Sequence, residues 1–187
     1  MKPSPVRHLS CCACSVCGTG LPRRGFLGLF AATAAAASLG GLRAEAADPG
    51  ASYEAMLLSC IDPRMVEPVF DYMAGRGLTG KYSQVVLAGA AVAVVAPTFE
   101  SWEPAFWGNL AATVELHHIR RVIAIDHRNC GAARIAYGEA AIATPDAETA
   151  THRRAMAAFR QEVAKRHPQL EVETLLMALD GKTEVMT

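Results

Sequence analysis

Ala55-Met56-Leu57-Leu58-Ser59-Cys60-Ile61-Asp62-Pro63-Arg64 is the stretch that decides how this chain folds. Residues 55–60 form a short apolar run, which reads as a buried parallel strand ending at Cys60. Working outward, residues 65–74 carry Val66, Val69, Phe70 and Met73 at helical spacing and stop at Gly75 and Gly77, which reads as an amphipathic helix. A second strand follows at 83–87. The Ala/Val run 89–97 either extends a strand or forms a buried loop, because its periodicity does not separate the two. Residues 104–117 read as a helix carrying Phe106, Leu110, Thr113, Val114 and Leu116, and 122–125 as a strand with His127 immediately beyond it. Residues 147–166 form the strongest helical pattern, with Ala155, Met156, Phe159 and Val163 on one face and Pro168 after the end. Segments 170–179 and 183–186 flank Asp180-Gly181, a dipeptide that favours a tight turn, and so read as a terminal hairpin. The sum is an α/β fold, a mainly parallel sheet with flanking helices and a C-terminal hairpin.

His127-Arg128-Asn129-Cys130-Gly131 answers the first stretch from far downstream. With Cys60 it offers two thiolates and one imidazole, enough to hold a zinc ion tetrahedrally with one position left open, as catalytic zinc sites do. Both motifs fall at the carboxyl ends of predicted parallel strands, where open α/β sheets place their ligand sites. Asp62 and Arg64 can form an orienting ion pair that places and polarises a water on the metal. A Cys60–Cys130 disulfide is the bland alternative in an oxidising compartment. It explains neither the spacing of His127 to Cys130 nor the closeness of Asp62 and Arg64 to Cys60. Gly131, beside the last cysteine, lets the backbone pass close to a metal.

Cys-x-Asp-x-Arg followed by His-x-x-Cys-Gly resembles the β-class carbonic anhydrases, over roughly residues 55–187. The resemblance implies zinc held by Cys60, His127 and Cys130, with Asp62 and Arg64 as catalytic residues. It also implies reversible hydration of carbon dioxide to bicarbonate by a metal-bound hydroxide, in a homodimer. Asp62 either stays on Arg64 or swings onto zinc in a closed site. One departure stands out: the family carries an Arg-Asn-Ala-Gly-like segment where this chain reads Val86-Leu87-Ala88-Gly89-Ala90. The polar pair is missing, which leaves open a second enzyme reading, hydrolysis of carbon disulfide or carbonyl sulfide on the same site. A zinc-binding or redox-sensing protein without turnover is the reading from another class. Ala88, Val92, Phe99, Trp102 and Phe106 are candidate pocket lining, with core or interface as the ordinary reading of each. Apolar residues between 99 and 107 are the candidate dimer contact.

The start of the chain has a different character. Leu21-Pro22-Arg23-Arg24-Gly25-Phe26-Leu27 precedes an Ala/Gly-rich apolar run and then Ala44-Glu45-Ala46, the pattern of a twin-arginine export signal cleaved before Ala47. This divides the chain into a leader, 1–46, and one zinc domain, 47–187, bound for the periplasm or another exported destination through the twin-arginine machinery. The apolar run is shorter than the ~20 residues of a membrane span. Cys11, Cys12, Cys14 and Cys17 lie ahead of the arginine pair and leave with the leader. The precursor is neutral, but from Ala47 onward there are 13 Lys and Arg against 17 Asp and Glu, a net charge of −4 with His neutral. That balance provides no footprint for nucleic acid. His117 and His118 read as helix C-terminal residues, and His152 and His167 as surface positions of the long helix.

Overall fold

The computed structural model describes residues 53–187. The expected twin-arginine leader, the cysteines assigned to it and the expected boundary at Ala47 lie outside the described residues. Strand β1, Ala55–Ser59, is an interior strand of a five-stranded sheet, between β2, Tyr82–Val86, at the edge and β3, Arg121–His127, at the centre. Beyond β3 come β4, Glu171–Met177, and β5, Thr183–Val185, giving the order β2-β1-β3-β4-β5. The first four strands are parallel and only β5 is antiparallel, closing the expected hairpin on β4.

Because β1 is buried along its whole length, its side chains feed both faces of the sheet. Ala55 and Leu57 join Ile123, Ile125 and Leu175 under helix α1, Val66–Gly75, through Val69 and Met73. Met56 and Leu58 point the other way, with Val122, Ala124 and Leu176. That face is covered by α2, Ala91–Val95, α3, Glu103–His117, and α5, Pro145–Arg166. The short helix α4, Gly131–Tyr137, lies between β3 and α5 in the chain. No described helix is long and apolar enough to cross a membrane.

Three sequence expectations change. The 89–97 run is neither strand nor loop but contains α2, which is buried nearly all round and so has no polar face to announce its period. The turn into α2 uses Gly89 at φ +94°, where a Cβ would stand 2.9 Å from Ala132 Cβ, so only glycine fits. On α1 the apolar spacing is wider than the buried face: Val66 and Phe70 are 69% and 53% exposed beside the edge strand β2. His127 is the last residue of β3, paired with Met177 of β4, rather than the first beyond the strand.

The strand order places the site. The chain steps from β1 to β2 on one side and returns to β3 on the other, so β1 and β3 flank the point where the order reverses. Open α/β sheets leave a crevice there at the strands' carboxyl ends. Cys60 follows β1 and His127 ends β3.

Candidate metal centre

Cys60, His127 and Cys130 come together in that crevice, each buried, with one donor atom from each within 4.8 Å of the others. Both cysteines are free thiols. His127 Nδ1 donates to the Arg128 carbonyl at 2.8 Å, which leaves the Nε2 lone pair facing the cysteines. That Nε2 is buried and has no hydrogen-bond partner among the described residues. An orphaned imidazole nitrogen, fixed by a backbone bond on its other side, among two thiols, is the donor set and support that zinc takes. The residues therefore fit a metal ion.

The thiols behave as a pair. A hydrogen bond from Cys130, with smaller lowering effects from the neighbouring His127 ring and the Gly89 and Asp62 amides, outweighs burial and brings the Cys60 thiol down to about 4. Cys130 moves the other way, because it gives that hydrogen bond and its ionisation would put a second buried negative charge beside the first. Burial opposes protonation of His127, but the neighbouring Cys60 outweighs it and raises the imidazole. In metal-free protein at about pH 7, NMR of the cysteine Cβ carbons is expected to show Cys60 ionised and Cys130 still protonated. Titration of Cys60 near the ordinary thiol value of 9.0 would remove this coupling.

Asp62 stands over the cluster, with Oδ2 3.8 Å from His127 Nε2. Arg64 grips both its oxygens, Nε on Oδ1 at 2.9 Å and Nη2 on Oδ2 at 2.5 Å, and the Arg64 amide adds a third bond to Oδ1. These bonds hold the Asp62 carboxyl at about 2, well below its usual range. Arg64 Nη2 also donates to the Asn129 carbonyl at 3.2 Å, tying the first motif to the second. Asn129 sits at φ 60°, and its amide donates to the buried Glu148 of α5 at 2.5 Å. Arg128 braces the same glutamate at 3.5 Å and reaches Glu184 at 2.7 Å.

A cleft of about 340 Å³ opens beside Cys60 and Asp62, walled by Ile61, Ala88, Phe99, Trp102, Ala132 and Ile135. Phe99 and Trp102 stack at 4.5 Å. Of the candidate lining, Ala88, Phe99 and Trp102 are in this wall, whereas Val92 and Phe106 are fully buried core. His117 bonds Ser83 Oγ at 2.6 Å, and neither it nor His118, the left-handed cap of α3, lines the cleft.

His152 corrects the surface reading: it is 0% exposed and bonds Asp126 at 2.7 Å. Position 152 lies three and four residues before Ala155 and Met156, on the same helical face. That spacing pointed inward, and the polarity of the side chain pointed outward.

Comparison with known proteins places this architecture. An uncharacterized protein of Rickettsia conorii is 33% identical over 129 residues, 69% of this chain and 69% of its own length. The chain belongs to its family. A second family member, an uncharacterized protein of Rickettsia bellii, is also 33% identical over 129 residues, 69% of this chain and 79% of its own. No family model matches the chain. In fold, the chain resembles the beta-carbonic anhydrase CcaA, with a TM-score of 0.51 and 11% identity over 87% of this chain and 88% of that one. The α/β architecture with its five-stranded sheet is thus the β-carbonic anhydrase fold.

Proposed function

We propose that this protein is an exported zinc enzyme that hydrates carbon dioxide reversibly to bicarbonate. One observation carries the reading: Asp62, clamped at both oxygens by Arg64, faces the unpartnered Nε2 of His127 where the cluster meets an apolar cleft. A purely structural zinc site closes all four positions with protein ligands and needs no such ion pair.

Cys60, His127 and Cys130 would hold the ion. Zinc bound there supplies Lewis acidity, which can bring the pKa of water from 15.7 to about 7. Asp62, held ionised at about 2, accepts a hydrogen bond from the attacking water and aims its lone pair, without itself taking the proton at neutral pH. Arg64 keeps that carboxylate in place through two parallel bonds, a fork that lysine does not offer. Carbon dioxide enters against the apolar wall of Phe99, Trp102 and Ile135. Water plus carbon dioxide gives bicarbonate and one proton, and the proton passes to buffer.

A second substrate is supported by a specific observation. Val86 and Leu87 stand where the resembled family has a polar pair, directly before Ala88, which lines the cleft. A cleft of about 340 Å³ admits carbon dioxide and carbonyl sulfide alike, so size does not choose between them. Parallel assays with both gases do. Zinc analysis with stopped-flow hydration on the purified protein is expected to give about one zinc per chain and zinc-dependent turnover already at pH 7, because Arg64 retains Asp62. Activity confined to above pH 8 would instead indicate Asp62 closing on the metal. A zinc-loaded protein inert toward both gases would overturn the enzyme reading and leave the zinc-binding or redox role.

The twin-arginine leader and a homodimer remain part of this proposal. Cell fractionation tests the first and sedimentation the second. Phe99 and Phe106 are buried, so in the 99–107 stretch Trp102 supplies the exposed apolar surface, and Ile61, Val66, Phe70 and Val86 offer more of it near strand β2.

A further inference from the structure

We propose that His152 is a positioning residue for the Cys60 sulfur, acting through Asp126 and the turn into α2. The proposal rests on reading Cys60, His127 and Cys130 as metal ligands. His152 Nδ1 donates to Asp126 Oδ2 at 2.7 Å, and both side chains are completely buried. The other Asp126 oxygen accepts the Ala91 amide at 2.9 Å, the first N–H of α2. Two residues earlier in the same turn, the Gly89 amide donates to Cys60 Sγ at 3.2 Å.

The turn between those two amides has its own backbone bonds, Ala90 N–H to the Leu87 carbonyl and Val92 N–H to the Gly89 carbonyl, both at 3.0 Å, and Asp126 adds a side-chain anchor from β3. Gly89 is at φ +94° and Ala90 at φ 49°, ψ −110°, a backbone region that residues with side chains rarely occupy and keep only where their surroundings impose it. Asp126 supplies that constraint at Ala91. Asp126 in turn is a carboxylate with no solvent contact, which stays in place only if its oxygens are satisfied. His152 satisfies the second one. The ring has no other role in view: its Nε2 has no hydrogen-bond partner among the described residues. The next positions on its face of α5 are Ala155, Met156 and Phe159, so an apolar side chain would serve packing alone. The path thus runs from α5 through β3 to the turn that aims an N–H at one sulfur, and outer contacts of this kind tune how tightly a ligand holds its metal.

Cobalt-substituted protein provides the test, because the thiolate-to-cobalt charge-transfer band reports on hydrogen bonding to sulfur. His152→Phe is expected to shift that band and to speed metal loss to a chelator about tenfold or more. His152→Gln, which keeps an N–H donor, should recover most of both. Unmodified protein loaded with NMR-active cadmium should show coupling between the Gly89 amide proton and the metal, a readout that does not depend on any variant folding. Absence of that coupling overturns the proposal. So does a His152→Phe protein that melts earlier but keeps the band and the release rate of the unmodified protein, since that is a structural role alone. Failure of unmodified protein to bind cobalt would overturn the ligand assignment, and the positioning role with it.

Discussion

Zinc-loaded protein carrying Asp62→Asn is expected to keep its metal and to lose about 10²–10⁴-fold in kcat/KM for carbon dioxide hydration, the range a positioned acid–base group contributes. The substitution is nearly isosteric. One amide oxygen can still accept from Arg64, so the Cys60 to Arg64 turn keeps its shape, and none of the three buried donors is touched. What disappears is the negative charge 3.8 Å from His127 Nε2 and the second acceptor for the reacting water. Metal analysis and stopped-flow hydration on the same sample check both halves. Unchanged turnover with full zinc would remove Asp62 from the mechanism. Lost zinc would make it a ligand or a structural support instead.

Cys130→Ala is expected to have the largest effect on the metal. Apparent binding energies of about 10–16 kcal/mol for four-ligand structural zinc sites correspond to roughly 3 kcal/mol per ligand, so affinity should fall by about 100-fold or more. The remaining pair, Cys60 and His127, would still be buried and fixed by the Gly89 amide and the Arg128 carbonyl. Competition with a chromophoric chelator measures the loss, and hydration should vanish in proportion to zinc. Retention of tight, stoichiometric zinc would mean that Cys130 is not a ligand.

The clearest sequence signals came from elements with a sharp local character. The buried run at β1, the helical stripe of α5 and the Asp180-Gly181 turn each carry their own period or turn chemistry, and each stands within a few residues of its expected place. α2 had no such signature, because a five-residue helix buried on nearly every side shows no alternation between apolar and polar positions. α1 misled in the opposite sense: its apolar stripe is wider than the surface the sheet offers, leaving Val66 and Phe70 outside. His152 was misplaced since side-chain polarity outweighed a spacing that pointed inward.

For the candidate site, chemistry and spacing alone named Cys60, Asp62, Arg64, His127 and Cys130, because a soft-donor metal site and its orienting ion pair demand particular side chains at short intervals. The partners that support them were a matter for the tertiary structure. Gly89 reaches the Cys60 sulfur, Glu148 takes the Asn129 amide, and His152 meets Asp126 in the core only after β1, β3 and α5 have packed. Hydrogen bonds between residues 19 to 29 positions apart leave no trace in local periodicity. Which of many buried polar groups will pair is decided by the packing that removes water from all of them at once.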